Sequence, residues 1–176
     1  MKYSVHGPYK IKKSSNGLIE PSKDVLKEFW ENIDQKEPDL SSACGCYLFA
    51  VKAGRGIKPW YVGMTTKRSF AEECLGSHQR NIYDHVIARR KGTALLFIIA
   101  KRTNKDKFVK PSIKVQKDIE YLETILIGAG IEKNKEIQNI RKTKLLRTMI
   151  VPGLINTPQG PPSLDEREFV KALIKD

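Results

Sequence analysis

The sequence predicts an α+β (mixed α/β) fold: a small central, mostly antiparallel sheet of three strands flanked by helices, with helical extensions at both ends. Three observations predict it. Short apolar runs at residues 46–51 and 60–62 flank a segment, 52–59, rich in Gly, Pro and charge, which is the strand–loop–strand order of a hairpin with a long connection. A third run, 94–100, is apolar throughout. That suits a strand covered on both faces, although periodicity alone also admits a buried helix. The segments around these runs carry apolar residues at helical spacing.

In chain order, residues 1–42 read as an N-terminal extension with one helix. Ser22 is its cap, Asp24 sits in its first turn, and Val25, Leu26, Phe29, Trp30 and Ile33 form one apolar face. Strands follow at 45–52 and 58–63, helices at 69–75 and 78–89, and the third strand at 94–100, all within a compact domain spanning 43–145. Residues 103–111 form a polar, lysine-rich loop. A long helix is expected over 113–129, ending at Gly130, with Val115, Ile119, Leu122 and Leu126 on one face. Glu123 falls at the rim of that stripe, between Ile119 and Ile127, and Glu120 lies further into the polar side. In the C-terminal extension, 146–176, residues 149–155 suit a short strand pair or an extended packing segment. Ser163 and Glu166 form a capping box for a last helix reaching about Ile174.

The charge balance points to a polyanionic partner. There are 32 Lys and Arg against 20 Asp and Glu, a net charge of +12, and the excess is clustered, which fits nucleic acid. Arg80, Arg89-Arg90-Lys91 and Arg141-Lys142 with Lys144 are the candidate contacts. Three cysteines without framework spacing argue against a disulfide-stapled secreted domain. Cys44 and Cys46 lack the second pair of ligands that a zinc site needs. The longest apolar run is far shorter than the roughly 20 residues of a membrane helix, and residues 1–6 lack the apolar stretch of a signal peptide. The expected setting is cytoplasmic, with no membrane association.

Tyr47 and Tyr61 lie on the two strands of the hairpin, so their hydroxyls can reach one surface. A phenol donates or accepts a proton, and the pair can start a catalytic site. Both rings suit a core equally well. A lone helix glutamate such as Glu123 is commonly a solvated charge.

Gly45-Cys46-Tyr47, Tyr61-Val62-Gly63, the acid in Leu122-Glu123-Thr124 and the amide in Ile137-Gln138-Asn139 succeed one another in an order that resembles the GIY-YIG nuclease domain, over about residues 43–142. The resemblance implies an endonuclease that hydrolyses phosphodiester bonds, most of all in DNA, with Mg²⁺ (or Mn²⁺) held by Glu123. It makes Tyr61 the general base or water-positioning group, supported by Tyr47. Gly63 permits a tight turn, and Asn139 braces the metal-side geometry. His78 either joins proton transfer or merely caps its helix. The arginine that the family places on the helix after the second triplet falls here on Glu73 or Cys74. Arg68 and Arg80 are the nearby cations that can take its place. The departure keeps a second reading open, a catalytically degenerate module that binds nucleic acid without cutting it. A third is a basic structural protein in which the triplets arise by chance. The terminal extensions are available to a protein partner or a second copy of the chain.

Overall fold

Why residues 94–100 contain no polar side chain is clear from the computed structural model, which describes residues 1–140 and 143–173. The run lies in β4 (Thr93–Arg102), an inner strand with neighbours on both sides and helices on both faces. Its partners are β1 (Lys2–Lys10) and β2 (Gly45–Ala53), and β2 in turn pairs with β3 (Gly56–Thr65). All pairings are antiparallel, in the order β1-β4-β2-β3.

Among the described residues the sheet therefore has four strands, one more than the sequence predicts. The additional strand is β1, within the segment expected to supply only a helix. Gly7-Pro8 interrupts it, and the register with β4 breaks between His6 and Tyr9. Proline cannot donate to a ladder and is confined to sheet edges and bulges. A Gly-Pro pair thus hides an edge strand from any reading based on unbroken alternation. The hairpin also differs from expectation. Pairing continues to Ala53↔Gly56, so Gly54-Arg55 alone make the turn, and Ala53, Gly56 and Ile57 join the strands beside the expected 45–52 and 58–63. Pro59 is tolerated because β3 is the opposite edge of the sheet.

A bulge in β3 sets which residues of that strand reach the core. Phe49 pairs with Tyr61 and Ala50 with Pro59, so the register passes over Trp60. Strict alternation would send Trp60 and Tyr61 to opposite faces; the extra residue lets both pack into the same core. That core holds Tyr47, Phe49, Leu96 and Ile98 from the sheet. Covering them are α1 (Lys23–Lys36), the short α2 (Phe70–Glu73) and α3 (Ser77–Ile87), through Trp30, Ile33, Phe70, Tyr83 and Val86. On the other face lies α4 (Lys117–Lys133), with Ile119 against Cys46 and Ile99, and Ile127 and Ile131 against Val62.

Helix α4 begins four residues later than expected, leaving Ile113 and Val115 exposed. It also continues through Gly130, where an added Cβ would stand 2.6 Å from the Ile137 side chain. Gly130 is a packing position, not a stop. Ser22 occupies the N-cap of α1 without a side-chain capping bond. Residues 149–155 reduce to one bridge, Val151↔Ile155, after α5 (Thr143–Thr148). The capping box of α6 (Leu164–Leu173) is present: Ser163 N–H donates to Glu166, and Glu166 N–H to Ser163 Oγ. Ile174, the expected end of α6, lies outside the described residues. Among the described residues no helix is long and apolar enough to cross a membrane.

The first turn of α4 is tied to the sheet by a polar cluster. Tyr3 Oη donates to Asp118 Oδ2 at 2.7 Å, and Lys101 Nζ lies 2.9 Å from Oδ1 and 2.8 Å from Oδ2. Burial pushes the Asp118 carboxyl up, but the bonds from Lys101 and Tyr3 outweigh it and hold the group below its usual range. A lowered folded-state pKa gives stability that is complete above the unfolded value and disappears as pH falls through the folded one. Asp118→Asn is expected to cost about 1–3 kcal/mol at neutral pH. Denaturant titrations across pH check it: the gap between wild type and variant should close below about pH 4, where unfolded carboxylates protonate.

Candidate active site

Register places the first tyrosine opposite the last glycine: Tyr47 of β2 pairs with Gly63 of β3. The Tyr47 ring lies across that glycine, and a Cβ there would collide with the ring and its hydroxyl. Gly63 therefore sits mid-strand, making room for a phenol, and not at the tight turn expected from sequence. Gly45 is fixed differently. Its φ is +151°, and a Cβ would collide with the Ile99 carbonyl of β4.

The phenols form a cluster. The ring centroids of Tyr47 and Tyr61 are 6.3 Å apart, and those of Tyr61 and Tyr83 are 6.1 Å apart. Tyr83 stacks on Phe49 at 4.0 Å. Burial, with Tyr83 and Cys74 close by, pushes the Tyr47 hydroxyl far above the ordinary phenol range. Burial does the same to Tyr83. Both groups are thereby held as neutral phenols across the physiological range. Tyr61 is half-buried.

Asn139 lies on a strap, residues 134–139, that comes after α4 and runs along the free edge of β3. The strap is bonded at three levels. Asn134 Nδ2 donates to Pro59 O at 2.6 Å, and Gln138 N–H donates to Trp60 O at 2.8 Å. The Asn139 amide spans both backbone groups of Val62, accepting from its N–H at 2.9 Å and donating to its carbonyl at 2.7 Å. Asn139 thus imitates one residue of a neighbouring strand. Both ends of its side-chain amide are engaged by Val62, so its contacts hold β3 against the strap.

Where the strap ends, a cleft of about 920 Å³ opens. Tyr47, Tyr61, Glu123, Asn139 and His78 all line it. Four separate stretches of sequence, the hairpin, α3, α4 and the strap's end, thus contribute to one cleft. It also takes in Glu73, which stands at the family's arginine position, and side chains that sequence reasoning missed: Gln79, Asn81 and His85. His78 and His85 are seven residues apart on α3, two turns and therefore one face. Their spacing is a readable signal once that face is known to look into a cleft.

No lysine or arginine is among the described residues that line the cleft. Arg68, exposed, reaches Glu73 with Nη1 3.8 Å from Oε2. Glu73 also accepts from Gln79 Nε2 at 2.6 Å. Arg80 is turned to its own helix start, donating to the Leu75 carbonyl at 2.8 Å, and is not among the residues that line the cleft. Cys74 is fully buried. Arg89, Lys91 and Lys144 are exposed and outside the cleft, and Arg90 pairs with Glu136. Arg141 and Lys142 lie outside the described residues.

Among the described residues no group of three or more His, Cys, Asp or Glu side chains gathers to hold a metal. A half-buried carboxylate on an open cleft, Glu123, still suits Mg²⁺, which keeps several waters and binds through one or two carboxylates. No family model, curated protein or solved structure matches the chain, so the chemistry rests on these residues alone.

Asn139→Ala strands the buried N–H and C=O of Val62. It is expected to destabilise the protein by about 2–4 kcal/mol, taking 1–3 kcal/mol for each group left unpaired and some recovery by water. Amide hydrogen exchange at Val62 should accelerate more than exchange in β4; equal acceleration in both strands would assign the loss to global unfolding.

Proposed function

We propose that the cleft is the active site of an endonuclease of GIY-YIG type, which hydrolyses a nucleic-acid phosphodiester, most of all in DNA, with Mg²⁺ or Mn²⁺ as cofactor. One observation carries this reading: Tyr47, Tyr61, Glu123 and Asn139, far apart in the chain, line a single cleft on a protein of net charge +12. In the reaction, water attacks phosphorus, the bond to the leaving sugar oxygen breaks, and the water's proton passes to a base while the leaving oxygen takes one up. A divalent ion on Glu123 supplies charge stabilisation for the phosphate oxygens.

The chain's own residues divide the remaining work. Tyr61, half-buried at the cleft wall, orients the attacking water and takes part in moving its proton. Tyr47, held neutral, donates a hydrogen bond beside it. His78 and His85, both on α3 and lining the cleft, serve as proton carriers. Asn139 holds β3, and with it Tyr61, in register against the strap.

A second reading has its own support. Glu73 puts another carboxylate in the cleft, and none of the described lining residues is a lysine or arginine. A module of this fold that binds nucleic acid without cutting it fits that distribution. Nicking of supercoiled plasmid separates the two. Mg²⁺-dependent nicking should fall by about 10²–10³ in Glu123→Gln, comparable to loss of one charge-stabilising group, and by at least about 10² in Tyr61→Phe. Salt-sensitive DNA binding with no metal-dependent nicking by wild type would establish the binding module instead.

A further inference from the structure

We infer that Lys58 and Arg90, set over the ring of Trp60, form a phosphate subsite beside the cleft, and that the Glu136 carboxylate occupies this subsite in the free protein. The inference rests on the nucleic-acid reading above and adds to it a place for the backbone and a device that guards it.

A polyanion laid along this cleft meets no lysine or arginine among the described lining residues, so its charge must be met at the rim. Strand β3, which carries Tyr61, carries Lys58 three residues earlier, about 10 Å along an extended chain. Arg90 arrives at the same point from beyond α3. Lys58 Nζ lies 5.0 Å and Arg90 Cζ 5.4 Å from the centroid of the Trp60 ring. The bulge that passes over Trp60 in the register brings its ring to this side of the strand. An indole with two cations on it is a preformed anion cradle: the ring holds both cations through its face and leaves their donors pointing outward.

Glu136 fills that cradle. Arg90 Nη2 lies 2.8 Å from Oε1 and 3.1 Å from Oε2, and Lys58 Nζ lies 3.3 Å from Oε2. Two carboxylate oxygens shared between an arginine and a lysine reproduce the two free oxygens of a phosphodiester. The carboxylate is delivered by a fixed backbone, because Glu136 lies on the strap that Asn134, Gln138 and Asn139 bond to β3. The pairs are open to solvent, the Lys58, Arg90 and Glu136 side chains being 47%, 49% and 54% exposed. Exposed pairs of this kind contribute little net stability, so exchange of Glu136 for an incoming phosphate is easy.

The test is fluorescence anisotropy with a labelled double-stranded oligonucleotide over a range of salt, using wild type, Glu136→Gln, the Lys58→Gln/Arg90→Gln double variant and the triple variant. Glu132→Gln, which alters an exposed carboxylate of the same charge elsewhere, controls for net charge, and circular dichroism melts check that each variant is folded. Glu136→Gln should bind several-fold more tightly than wild type and steepen the slope of log affinity against log salt by about one. The double variant should bind more weakly, and adding Glu136→Gln to it should change nothing. The inference is overturned if Glu136→Gln binds like wild type, if it tightens no more than Glu132→Gln, or if the tightening persists without the two cations. Any of these with salt-sensitive binding by wild type leaves the nucleic-acid reading intact. No binding by wild type or Glu136→Gln ends both.

Discussion

A strand at the edge of a sheet presents backbone groups that must find partners, and β3 is such a strand, with β2 on one side only. Its other side is paired by side-chain amides and one backbone N–H from the strap, above all by Asn139 on Val62. Much else depends on that pairing. The strap continues α4, so bonding it to β3 sets where α4 crosses the sheet. Ile137 closes over Gly130, and Val62 is sealed among Ile127, Ile131 and Ile137. Glu123, on the same helix, is thereby delivered to the cleft that opens where the strap stops. The residue that resemblance would make a catalytic amide is, in its contacts, the clamp that brings an acid and a phenol to one place.

Much of this is legible in the sequence because the relevant signals are local. Apolar runs mark β2, β3 and β4; the Ser163/Glu166 box marks α6; helical spacing marks α1 and α3. The cleft residues Tyr47, Tyr61, Glu123, Asn139 and His78 are legible too, from the order of the triplets, the acid and the amide. What escapes depends on distant contacts or on irregular backbone. Gly7-Pro8 masks β1. The turn of the hairpin shrinks to Gly54-Arg55 because Ile57 pairs with Lys52 and Gly56 with Ala53, extending the ladder past the expected strand ends. The start of α4 moves to Lys117 because Val115, although in phase with Ile119, has nothing to pack on and stays exposed. The purpose of Gly63 is invisible until Tyr47 is known to lie opposite. Glu73 and His85 join the site only because α2 and α3 fold against the hairpin.

The electrostatics divide by distance. Among the described residues no lysine or arginine lines the cleft, and the field of a chain of net charge +12 attracts a polyanion from afar while being screened beyond about 10 Å at moderate salt. Inside, Glu73 and Glu123 stand among two phenols, amides and two imidazoles. In the proposed function these two scales are complementary: the surface recruits nucleic acid, and the cleft, which would otherwise repel phosphate, requires a bound cation before the backbone can settle. Arg68 lies beside the Glu73 carboxylate at the cleft wall, with Nη1 3.8 Å from Oε2.

In the proposed reaction Glu123 seats a divalent ion in the cleft it shares with Tyr47, Tyr61 and Asn139. Anomalous scattering from crystals soaked in Mn²⁺ tests it directly. A single peak about 2.1 Å from a Glu123 carboxylate oxygen, the distance a hard divalent ion of this size keeps, and absent from Glu123→Gln crystals, is the predicted result. A cleft without a peak in soaked wild-type crystals, or manganese bound only at carboxylates outside it, would contradict the claim.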